Sequence, residues 1–141
     1  MPEFTAATKA RLKEVLPPFA ATLNPLDTTG VLLQDPLLWT RVLPPIFDDP
    51  SIGLVVSILN FPGDEAEVAI VRQHWPVIAE TYRQAGHRPM LLTQVLQPVN
   101  ELARQVIAET GLDGFVFGLD TGVRALAHLA RWSRRLREVS R

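Results

Sequence analysis

The stretch Ser51 to Asp64, SIGLVVSILNFPGD, constrains the fold more than any other part of the chain. Six of the seven residues from Gly53 to Leu59 are apolar or glycine, Ser57 being the exception. An unbroken run of that kind, rich in Val and Ile, predicts a strand buried on both faces, as in a parallel sheet. Asn60-Phe61-Pro62-Gly63 must then turn the chain. Asp64, Glu65 and Glu67 follow, acids where a helix N-terminus favours them, so a helix is expected from Asp64 onward. Open α/β sheets place ligands at such strand–loop–helix passages, beyond the carboxyl ends of the strands.

The flanking sequence repeats the alternation. Thr5 to Leu16 reads as a helix capped by Thr5 and stopped by Pro17-Pro18. A short strand is expected around Asn24 to Asp27, within a stretch dense in turn formers. Asp35 and Pro36 open a second helix, which Pro44-Pro45 should kink or break. The helix after Asp64 carries Val68, Val71, Trp75, Ile78, Ala79 and Tyr82 at helical spacing, with a kink or restart expected near His74 because Pro76 lies within it. Gly86 should end it. A strand over 89–95, a helix with Pro98 at its first position and an end at Gly111, and a strand over 114–118 follow. A last helix should be capped by Asp120 and present Val123, Leu126, Ala127 and Ala130 as apolar positions. Helices alternating with short apolar strands predict α/β architecture, a parallel sheet with helices on both faces and right-handed crossovers.

The 141 residues suit one domain, and 47% hydrophobic with 21% charged content fits a packed core. A net charge of −1 gives no general electrostatic case for nucleic acid. The arginines near the end, Arg131, Arg134, Arg135, Arg137 and Arg141, read as the solvated face of a final helix. The chain has no cysteine, which removes disulfides and thiolate chemistry. No apolar run reaches the roughly 18 residues that span a bilayer, and the N-terminus lacks an apolar core of the secretory kind. A soluble, cytoplasmic protein is expected, with no membrane partner. His74, His87 and His128 have no partners at metal-ligand spacing and read as surface or half-buried histidines, so neither a metal site nor a catalytic residue is expected. No phosphate-binding glycine motif or nucleophile elbow is present.

The string LPPFAATLNPLDTTG, Leu16 to Gly30, resembles the "LP…NPxD" signature of the NDP-forming acyl-CoA synthetases, relatives of succinyl-CoA synthetase. The signature residues are Asn24, Pro25, Leu26, Asp27 and Gly30. DDPSIGLVVSIL is similar to the family's "DPxVDxVLV" segment, HRPMLLTQV to its "KPV" strand, and GLDGFVFGLDTGVRALAHLARW to its "GIPVY…PExAVRAL" ending. The wording near FGLDTGVRAL most resembles the feruloyl-CoA synthetase-like and acetate–CoA ligase-like bacterial proteins of this group.

The resemblance implies a flavodoxin-like domain, the second of two in the succinyl-CoA-synthetase-like region. The family makes acyl-CoA from a carboxylic acid, CoA and ATP with Mg, through a phosphohistidine on the preceding domain. The implied partners are therefore the CoA-binding, phosphohistidine and ATP-grasp parts of a synthetase, and no cofactor is expected on this chain by itself. None of its histidines matches the phosphohistidine motif. The loop Asn60, Phe61, Pro62 and Gly63 matches the family's substrate-facing loop. It departs by lacking the glycine pair, since Pro62 offers no amide and Asp64 and Glu65 oppose an anion. Met1-Pro2-Glu3-Phe4 matches the "LPEF" that follows the family's first strand and helix. The chain thus reads as a fragment of a synthetase, or the product of a truncated reading frame, without its first βα unit and inactive alone. A homodimer could cover what that unit leaves open. Two other readings stay open: a non-enzymatic subunit-contact module on the same scaffold, and the scaffold domain of a protein lysine acetyltransferase.

Overall fold

The computed structural model describes residues 1–28, 30–93, 99–112 and 114–139. Among these residues, five α-helices and three short strands follow one another: α1 Ala6–Val15, α2 Trp39–Phe47, β1 Ser57–Ile58, α3 Glu65–Gln84, β2 Leu91–Thr93, α4 Glu101–Thr110, β3 Phe115–Phe117 and α5 Leu119–Val139. The strands form one parallel sheet in the order β1-β2-β3, the sequential arrangement that βα repeats produce. Its register aligns Ser57 with Leu91 and Phe115, and Ile58 with Leu92 and Val116.

Strand alternation sends these two rows to opposite faces. The Ser57 row meets α3 and α4. Tyr82 of α3 shares a hydrogen bond with Ser57 Oγ at 3.0 Å, and Leu91, Trp75, Ile78, Ala103, Val106 and Leu112 are all buried in this main core. The Ile58 row meets α5, where a Cβ on Gly122 would overlap Leu92 Cδ1 and lie 3.4 Å from Val116 Cγ2. Gly122 allows that close approach because it has no side chain. The fold is therefore α/β with helices on both faces of a small parallel sheet, consistent with a flavodoxin-like arrangement.

A second cluster, Phe4, Leu12, Leu16, Leu32, Leu38, Val42 and Ile46, packs α1 against α2. Phe4 and Leu12 are thus covered within the chain itself. Phe19 is exposed. Asp49, buried between α1 and the chain after α2, accepts bonds from Thr5 N (2.8 Å), Thr5 Oγ1 (3.2 Å), Ser51 N (2.9 Å) and Ser51 Oγ (2.7 Å). Burial alone would raise its pKa. The bonds from Ser51, Thr8 and Thr5 outweigh it and hold the carboxyl far below the usual carboxylate range.

Several expectations need correction. No strand forms at Asn24 to Asp27. The chain bends there, through a cis Asn24–Pro25 bond, with Asn24 Nδ2 donating to Pro2 O at 2.9 Å. The strand expected over Gly53 to Leu59 shortens to Ser57–Ile58, because among the described residues only its β2 side has a partner. Those over 89–95 and 114–118 shorten to Leu91–Thr93 and Phe115–Phe117. Pro44 and Pro45 lie inside α2, which runs on to Phe47. Likewise α3 continues through Pro76 as one helix. Pro98 and residues 94–97 lie outside the described residues, and α4 is capped by Asn100, whose Oδ1 accepts from Ala103 N at 2.7 Å. Asp120 sits in the first turn of α5, paired with Arg124 at 3.0 Å, and does not cap it. Thr5, Asp64, Gly86 and Gly111 play the capping and stopping roles read for them.

Candidate functional site

The loop Asn60-Phe61-Pro62-Gly63 leaves the carboxyl end of β1 and enters α3, so it lies at the carboxyl edge of the parallel sheet. Asn100, at the start of α4 after β2, reaches it. Its Nδ2 donates to Pro62 O at 2.9 Å while its Oδ1 caps α4. One side chain thereby joins the loops that follow two adjacent strands. The ends of β2 and β3 are joined similarly, Gly118 N donating to the buried Thr93 Oγ1 at 3.2 Å.

The four loop residues divide into two kinds. Phe61 is 3% exposed and packs its ring 4.7 Å from Phe115, 5.8 Å from Phe117 and 6.3 Å from Trp75. Pro62 is also buried. Both belong to the core beneath the carboxyl edge. Asn60 and Gly63 are exposed and form the surface of the loop.

The start of α3 supplies its own anions. Asp64 Oδ1 accepts from Glu67 N at 2.9 Å, and Glu67 Oε2 accepts from Gly63 N at 2.6 Å. This is a reciprocal cap, which satisfies backbone donors that a free helix N-terminus would offer to a ligand. An incoming anion would have to displace the Glu67 carboxylate. The D-x-x-E spacing of Asp64 and Glu67 carries this signal in the sequence. The bond from Asn100 to Pro62 has none, because it joins residues 38 apart.

The signature residues Asn24, Pro25, Leu26, Asp27 and Gly30 build a turn beside the second cluster. Asn24 ties to Pro2, Leu26 is packed on the cluster, and Gly30 takes φ 75° ahead of a short 3-10 turn at Val31–Leu33.

A shallow cleft of about 80 Å³ lies at the opposite, amino edge, lined by Phe47, Tyr82, His87 and Arg88 among others. It is far below the several hundred Å³ of ordinary small-molecule sites. Burial raises the Tyr82 hydroxyl pKa, with the Ser57 bond opposing. Of the histidines, His74 is buried, not surface or half-buried as the sequence suggested, and its Nδ1 accepts from Trp39 Nε1 at 3.3 Å. His87 is exposed beside Phe47, with ring centroids 4.8 Å apart, and His128 is exposed on α5. Among the described residues, no group of three or more His, Asp or Glu is placed to hold a metal ion, and no helix is long and apolar enough to cross a membrane. No family model matches the chain, and no curated protein matches it.

Proposed function

We propose that the chain is a flavodoxin-like domain of a cytoplasmic NDP-forming acyl-CoA synthetase, working only with partners that carry the CoA-binding, phosphohistidine and ATP-grasp functions. The observation that supports this most is the run of sequential parallel βα units whose first loop, Asn60 to Gly63, meets α3 at the carboxyl edge and is pinned there by Asn100. That is the edge at which an acyl or phosphoryl group carried by another domain would be presented. In this reading the domain shapes the edge. ATP, Mg and CoA are held elsewhere.

The test is to capture the tagged chain from its own cells and assay it, alone and with whatever copurifies, for acyl-CoA formation from ATP, Mg, CoA and a panel of acids. The expected result is turnover by the complex and none by the chain alone. Turnover by the repurified chain, or captured partners that contain no nucleotide-binding or CoA-binding protein, would refute the proposal. A second reading, a subunit-contact module without catalysis, is favoured by one observation: Glu67 and Asp64 already occupy the amides at the start of α3. Glu67→Gln separates the two. It should change turnover of the complex if the amides meet an anion, and leave it unchanged if they never do.

A further inference from the structure

α5 has 21 residues, a length of roughly 31 Å at 1.5 Å per residue, whereas each strand beneath it has at most three. Its first turns rest on β2 and β3 through Gly122, and the rest reaches past the sheet. There Leu129, Trp132, Leu136 and Val139 recur at spacings of three and four, the pattern of one continuous helical stripe. They are 41%, 60%, 45% and 86% exposed.

A second bare surface lies on the same face of the sheet. In the row Ile58–Leu92–Val116, α5 buries Leu92 to 4% but leaves Ile58 45% exposed, and on α5 Val123, next in sequence to Gly122, is 53% exposed. The strand edge there is also open. Ser57 N and Leu59 N bond to β2 at 3.0 Å each, so alternation turns the amide and carbonyl groups of Val56 and Ile58 outward, where no strand adjoins among the described residues. Parallel strands are ordinarily covered on both faces.

We infer that a second copy of this chain covers this surface, the α5 stripe of each copy lying on the Ile58–Val123 surface of the other. Three observations select that occupant. The chain carries both halves of the contact, as a two-fold interface requires. The six apolar side chains named expose on the order of 600 Å² per chain over the two surfaces together, near the ~800 Å² each partner buries in a standard interface. The charges also match: Arg131 and Arg135 lie along one flank of the stripe, and the exposed acids Asp64, Glu65 and Glu67 follow the carboxyl end of β1. Those acids would repel an anionic membrane. The inference is independent of the proposed synthetase role, because it rests on the surface of the chain and not on the chemistry at its carboxyl edge.

The test is light scattering on the full chain over a dilution series, with cross-linking. A standard-size contact should give a dimer of twice 15.7 kDa at tens of micromolar. Trp132→Glu and Ile58→Lys should each weaken it roughly thirtyfold or more while helical circular dichroism is retained. The natural chain has no cysteine, so single cysteines report the geometry. A mixture of Ile58→Cys and Leu129→Cys chains should form mixed disulfide dimers. A monomer at every concentration, sedimentation with phosphatidylserine vesicles in place of self-association, or Leu129→Cys chains that link only to each other would each overturn the inference.

Discussion

Replacing Asn100 by alanine removes two bonds at once, and their separate worth can be worked out. The Oδ1 cap on Ala103 N contributes about 1 kcal/mol, the usual value for an N-cap. The Nδ2 bond to Pro62 O, beside a buried proline ring, adds about 1 kcal/mol, since its loss leaves a carbonyl short of a partner. Asn100→Ala should therefore lose about 2 kcal/mol, a drop in Tm of about 7 °C for a chain of this length. In urea the midpoint should fall by about 1 M with the slope unchanged. Asn100→Ser keeps a cap acceptor but is too short to reach Pro62 O, so it should cost about 1 kcal/mol. If Asn100→Ala costs less than about 0.5 kcal/mol, or Asn100→Ser costs as much as Asn100→Ala, the two-bond account of this residue is wrong.

Two further outcomes test the packing and the electrostatics. Asp49 is held well below its unfolded pKa of 3.8, so its contribution is full above about pH 4 and is lost as pH falls through the folded value. The stability gap between the natural chain and Asp49→Asn, measured by urea unfolding, should be widest near pH 6 and narrow steadily below pH 4; a gap that widens with acid would reverse the assignment. At Gly122, valine should cost about 1–3 kcal/mol by forcing α5 off Leu92, while alanine should come out near neutral because about 1 kcal/mol of helix propensity offsets its smaller overlap. Thermal unfolding distinguishes these, and a neutral valine would mean that α5 does not press on the sheet there.

Local rules carried the sequence reading far where the cause was local. Thr5, Asp64, Gly86 and Gly111 act where capping chemistry and the freedom of glycine put them. The 3.6-residue spacing of Val68 to Tyr82 marked the buried side of α3, and the apolar runs marked all three strands. What escaped is non-local. Strand length depends on partners, and among the described residues β1 has a neighbour on one side only, so its apolar run is longer than its ladder. Proline does not break α2 or α3, whose packing offsets the lost hydrogen bonds: α2 lies on both clusters and α3 on the main core. His74 lies three residues after Val71 and four before Ile78, so the spacing marks it for the buried face of α3; only its partner Trp39, 35 residues away, has no local signal. At the candidate site, the loop position was legible, but the burial of Phe61 and Pro62 and the bond from Asn100 are products of the folded arrangement.

The nine-residue helix α2 contributes to both apolar clusters: Leu43 to the main core, and Val42 and Ile46 to the other. The two cores therefore share a rigid wall and cannot melt in sequence without that helix losing one of its sides. Calorimetry should record one endotherm whose van't Hoff and calorimetric enthalpies agree, even though the clusters involve opposite ends of the chain. A polar residue at Leu43 ought to lower the protection of α1 amides against hydrogen exchange, although Leu43 is not part of the cluster that buries Leu12. The N-terminal helix and the sheet should thus unfold as one thermodynamic unit, with α2 transmitting damage between them.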